Sequence, residues 1–93
     1  MCRNIRVLYH FDPPTTDEEV RAAATQYVRK ISGLRRPRAA DVETFERAID
    51  EIADASGRLL GALHARTAVR TREAEREKAR LRGARREAAL RGP

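Results

Sequence analysis

The sequence predicts an all-α fold: an antiparallel helical hairpin covered by a short N-terminal arm and followed by a projecting basic C-terminal helix. Three observations carry this reading. The stretch TTDEEVRAAATQYVRKISG (15–33) has a helix start, an apolar period and a helix stop. DVETFERAIDEIADASGRLLGALHA (41–65) carries a heptad seam. Residues 66–93 hold the surplus charge and almost no large apolar side chains.

Charge and hydropathy divide the 93-residue chain in opposite senses. Residues 1–65 contain ten Lys/Arg and ten Asp/Glu, whereas residues 66–93 contain ten and four, so the whole formal charge of +6 lies in the last segment. Alanine aside, that segment offers only Val69, Leu81 and Leu90 to a core. The expected organisation is a compact domain over 1–65 (arm 1–14, helix 16–32, helix 39–65) and a basic, helical or partly disordered tail over 66–93. A core drawn from about 60 residues is marginal, and one cysteine cannot form a disulfide within the chain. Self-association is therefore an expected route to stability. With no secretory apolar segment and no run long enough to span a bilayer, the expected setting is the cytoplasm, where a lone thiol stays reduced.

The arm is ambiguous by pattern. Ile5, Val7, Tyr9 and Phe11 alternate as in a strand, while Ile5, Leu8 and Tyr9 fit a helical turn capped by Asn4. A lone strand would lack a ladder partner, so one or two helical turns are expected, with Ile5, Leu8 and Phe11 lying across the hairpin. Asp12-Pro13-Pro14 then ends the arm in extended chain.

In the first helix Thr16 and Glu19 have capping-box spacing, and the acids at 17–19 suit the positive end of the helix dipole. Val20, Ala23, Ala24, Tyr27, Val28 and Ile31 recur on one face. Arg29 and Lys30 suit the last turn, and Gly33 supplies the left-handed stop. A connection of about six residues, Ser32 to Pro37, favours an antiparallel partner.

That partner places Val42, Phe45, Ile49, Ile52, Ser56, Leu59 and Leu63 on a seam of alternating threes and fours. Asp41 is a candidate N-cap, and Glu43–Arg47, Arg47–Glu51 and Asp54–Arg58 are spaced to pair along the outer face. Ala53, Gly57, Gly61 and Ala65 form a small-residue stripe. The expected use of its glycines is close approach by another backbone. The tail is dense in helix formers, with Glu73–Arg76, Glu75–Lys78 and Glu77–Arg80 at i,i+3, and Gly83 and Gly92-Pro93 weaken its far end.

MCRNI at positions 1–5, the Pro13-Pro14 pair before the capped acids, QYVRKISG, Pro37 and TFERAIDEIA together resemble a family of small bacterial proteins of unknown function recognised by that MCRNI opening. The resemblance covers about residues 1–64. It implies a bacterial, cytoplasmic setting and a compact helical fold, and it brings no activity, ligand or catalytic residue with it. The family often has serine after the linker proline, where this chain has Arg38, which bears on where the second helix starts.

Catalytic chemistry finds little support. Glu46, Asp50 and Asp54 stack at i,i+4 but sit among arginines as a solvated face. There is no Ser/His constellation, no Gly-rich phosphate loop and no cluster with metal-ligand spacing. Cys2 is a thiol beside Arg3, and removal of Met1 would set an α-amine on the same carbon. Cys2, His10 and Asp12 form a candidate thiol or metal group, but even with distant His64 they fall short of the four well-spaced ligands of a structural zinc site. A small buried anchor is the simpler role for Cys2.

Two basic features are better founded. Arg29, Lys30, Arg35, Arg36 and Arg38 fall within ten residues without an acid. The tail adds Arg72, Arg76 and Arg80 on one helical line, with Lys78, Arg82, Arg85 and Arg86 nearby. Such arrays bind phosphate, but no aromatic side chain interleaves them for base stacking. The expectation is a non-enzymatic binding protein that needs no cofactor and contacts nucleic acid or another polyanion without reading sequence. The alternative is a homodimerisation or protein-docking module, and the third reading is thiol or metal chemistry at Cys2.

Overall fold

The computed structural model describes residues 3–91 and contains three α-helices: α1 (Asp17–Ser32), α2 (Val42–Ala62) and α3 (Arg72–Arg91), with a 3-10 turn at Ala39–Asp41 leading into α2. None of these helices is long and apolar enough to cross a membrane.

The signals at both ends of α1 act as the residue types dictate. The Glu19 amide donates to Thr16 Oγ1 at 3.2 Å, and the Thr16 amide donates to Glu19 Oε1 at 2.9 Å, which completes the capping box. At the other end Gly33 takes φ +72°, and its N–H reaches Arg29 O at 2.9 Å. Glycine occupies that left-handed conformation without a Cβ penalty.

α1 and α2 pack together as the hairpin. Val20, Ala24 and Val28, four residues apart, are the buried stripe of α1. Ala24 and Val28 meet Ile49 of α2, with Phe45, Ala48, Ile52 and Ala53 packed around them. The apolar face of α1 is narrower than its pattern, because Tyr27 and Ile31 stay exposed (47% and 67%) on a side that no other described element covers. The expected lacing along α2 gives way to a link between helices. Arg21 of α1 donates to Glu46 at 2.8 Å and to Asp50 at 2.5 Å.

Three expectations need correction. First, the second helix stops earlier than residue 65: it ends at Ala62, and Leu63 is extended. Asp41 stands at the cap position without a side-chain capping bond. Second, among the described residues no backbone approaches the glycines of that stripe. A Cβ on Gly57 or Gly61 would meet nothing within 4 Å, and both glycines line an open groove of about 460 Å³ beside the arm. The seam residues Leu59 and Leu63 are likewise exposed.

Third, the arm is not helical. Residues 3–12 run as bends and extended chain, and Phe11 forms a parallel bridge with Arg70. The missing ladder partner comes from the segment before α3. The Asp12 amide donates to Arg70 O at 2.9 Å, and the Arg70 amide donates to His10 O at 2.7 Å. His10 adopts φ 62°, a left-handed conformation that histidine tolerates better than most residues. That turn lies between half-buried Tyr9 and buried Phe11. The Asp12–Pro13 peptide is cis. Gln26 of α1 ties down the start of the arm, its Oε1 accepting the Asn4 and Ile5 amides at 2.7 and 3.0 Å.

α3 packs along neither α1 nor α2. It runs unbroken through Gly83 to Arg91, a length of about 30 Å at 1.5 Å per residue. The radius of gyration is 16.6 Å, whereas a compact chain of this size has about 12 Å.

Candidate functional site

The exposed part of α3 is the more strongly charged surface. From Lys78 to Arg91 six basic residues face a single acid, Glu87, and every residue from Arg76 to Arg91 is exposed. Helical geometry sets Lys78, Arg82, Arg85 and Arg86 (i, i+4, i+7, i+8) on one face and Glu87 on the opposite one. Two of the three expected i,i+3 pairs form near the start of the helix. Lys78 meets Glu75 at 3.1 Å, and Arg80 meets Glu77 at 2.5 Å. Among the described residues Arg76, Arg82, Arg85 and Arg86 make no ion pair.

Arg72 belongs elsewhere, and this corrects its place in the expected phosphate-binding set. Its Nη1 donates to Pro13 O at 2.6 Å, and its Nη2 donates to Pro14 O at 3.2 Å and Glu19 Oε1 at 2.8 Å. Its Nε reaches Glu19 Oε2 at 3.3 Å, and the guanidinium carbon lies 5.2 Å from the Phe11 ring centre, within cation–π range. Glu19 thus closes the α1 cap and anchors the root of α3 at once. The hydrogen bond from Arg72, followed by the Thr16 amide and then Arg6 at 3.3 Å, holds its carboxyl down at about 2, against partial desolvation that pushes it up. Arg70, which the sequence reading did not single out, completes the clamp by donating from Nη1 to Tyr9 O at 2.8 Å.

The linker cations form a separate surface at the other end of α1, about 24 Å away along a 16-residue helix. Arg29, Lys30 and Arg35 line an open cavity of about 750 Å³ together with Arg3, Asn4, Gln26 and Leu34. No acid lines it, and none of its four cations makes an ion pair among the described residues. Arg36 and Arg38 are exposed but do not line this cavity. Arg3 lies twenty-six residues from Arg29, and no spacing or motif in the sequence joins it to this group. Only the Gln26 clamp on Asn4 and Ile5 shows that residue 3 faces the last turn of α1.

Cys2 lies outside the described residues. His10 and Asp12 flank the buried Phe11, with the His10 ring 5.9 Å from that of Tyr9. Among the described residues no three His, Cys, Asp or Glu side chains gather as metal ligands. Glu46 and Asp50 are tied to Arg21.

A search of curated proteins found no match, and a search of solved structures found none either. One family model, described as an uncharacterized conserved protein (DUF2277), matches residues 1–78. The matched stretch takes in the hairpin, the arm and the Arg70/Arg72 clamp, and it ends as the cation-rich part of α3 begins. The chain belongs to this family of uncharacterized conserved proteins.

Proposed function

We propose that this is a non-enzymatic binding protein that holds nucleic acid through its phosphates, without reading base sequence. The observation that carries the reading is the exposed run from Lys78 to Arg91, with six basic residues to one acid, on the part of α3 beyond its Arg72 anchor. The stripe from Lys78 to Arg86 is about 12 Å long, and a duplex presents one charge per about 1.7 Å of axis, so several phosphates fall within its reach. α3 carries no aromatic residue, which leaves it no platform for stacking bases and favours backbone contact over base readout. Binding by such a helix is salt-dependent and tolerant of sequence. The test is titration of labelled duplexes of unrelated sequence at two salt concentrations. Similar affinities that fall steeply with salt support the reading, and salt-independent or absent binding contradicts it.

A second reading rests on a different surface. Leu59 and Leu63 are about half exposed beside the open Gly57/Gly61 groove, which suits docking of an apolar helix or a second copy. Sedimentation of the full chain tests it through concentration-dependent mass.

A further inference from the structure

We infer that the cavity at the C-terminal end of α1 is a binding site for a hydrophilic phosphomonoester, such as a sugar phosphate or the 5′-phosphate end of a strand. The inference rests on the polyanion reading for its phosphate chemistry, and adds to it a discrete site distinct from α3.

Three features of the cavity define the ligand. Arg3 from the arm, Arg29 and Lys30 from the last turn of α1, and Arg35 from the linker surround one concavity with no acid in its lining. Three separate pieces of chain therefore contribute cationic residues to the lining of a common volume. A phosphodiester track offers one charge per phosphate and is met by a row of cations, as on α3. Converging cations match a compact group, and a phosphomonoester carries about −1.5 to −2 at pH 7. The volume, about 750 Å³, lies in the range of small-molecule sites. The remaining lining describes the rest of the ligand. Among the described residues Asn4 adds an amide, Ala22 and Leu34 are the apolar side chains of the lining, and no aromatic is present, which favours hydroxyls over a stacked base. The last turn of α1 also leaves carbonyls that accept hydroxyl hydrogens. Their negative dipole end opposes an anion, and the four cations outweigh it.

The backbone on two sides of the cavity is held in place. Gln26 Oε1 accepts the amides of both Asn4 and Ile5 and so pins Arg3 beside α1. Gly33, in its left-handed conformation, turns the chain so that Leu34 and Arg35 close another side.

The test is calorimetry and amide-shift NMR on the full chain with ribose 5-phosphate as probe, at low salt, with ribose as the uncharged control. We expect saturable binding with shifts at Arg3, Asn4 and residues 29–35, no response to ribose, and a weakening of about tenfold or more in Arg29→Gln/Lys30→Gln. Arg3→Gln should weaken it as well. All three residues are exposed, and circular dichroism checks that the variants fold. An Arg82→Gln/Arg85→Gln/Arg86→Gln variant should bind the probe normally while losing duplex affinity, so failure at the cavity and failure on α3 are read separately. Short strands with and without a 5′-phosphate distinguish the two sources: a preference for the phosphorylated strand over ribose 5-phosphate assigns the site to strand ends, and the reverse assigns it to small sugar phosphates. Shifts confined to α3, equal response to ribose, or unchanged binding in folded Arg29→Gln/Lys30→Gln would overturn the inference.

Discussion

Glu19 is the residue on which the two halves of the molecule meet. Its carboxylate caps α1 through Thr16 and receives Arg72 and Arg6. Because its folded pKa of about 2 lies below the ordinary 4.5, its contribution is complete above about pH 4.5 and is lost as pH falls through 2. Glu19→Gln should therefore flatten the loss of stability between pH 5 and pH 2.5 in denaturant titrations, and a variant as acid-sensitive as the parent would remove Glu19 from this role. Arg72→Ala should lower the denaturation midpoint at pH 7 and leave the Glu19 variant little further to lose. Gly33→Ala should cost about 1 kcal/mol through its positive φ alone, since a Cβ there meets no neighbour. The capping box and Gly33 were legible in the sequence because each is a local signal at fixed spacing. The Arg72–Glu19 pair was not, because fifty-three residues separate the partners and no period or motif connects them.

At the scale of elements, α1 and α2 followed from apolar periodicity, while the arm did not. Neither of its two patterns is realised among the described residues: Ile5 and Val7 are exposed, and only Phe11 pairs with another segment. The partner is Arg70, in a segment whose composition reads as solvated tail. Backbone hydrogen bonds such as Arg70 N–H to His10 O leave no mark in hydropathy, so counting apolar residues could not place Arg70 and Arg72 against the arm. The glycines of α2 failed differently: spacing suggested a neighbour, and the monomer supplies none. Each of Gly57→Ala and Gly61→Ala should consequently stabilise the protein by about 0.5–1 kcal/mol through helix propensity, measured by urea denaturation. Destabilisation, or a loss of concentration-dependent mass in the same variants, would instead show that a second chain sits in that groove.

On the scale of the whole molecule, apolar contacts gather in the hairpin and arm, and uncompensated charge gathers in two places, the linker cavity and the outer part of α3. The polarity between the ends of the chain was visible in the charge count. What the count could not show is that the root of the tail is structural, so removing residues 66–93 would strip the arm of its partner along with the cations. Neutralising the outer cations in place avoids that confusion. The most direct measurement is the salt dependence of duplex binding for the full chain and for Arg82→Gln/Arg85→Gln/Arg86→Gln, with circular dichroism as the control for folding. Phosphate binding by the outer cations predicts a steep fall of affinity with salt in the parent and a slope smaller by about 2–3 in the variant, near 0.9 for each phosphate contact removed. Equal affinities and equal slopes in two folded proteins would contradict it.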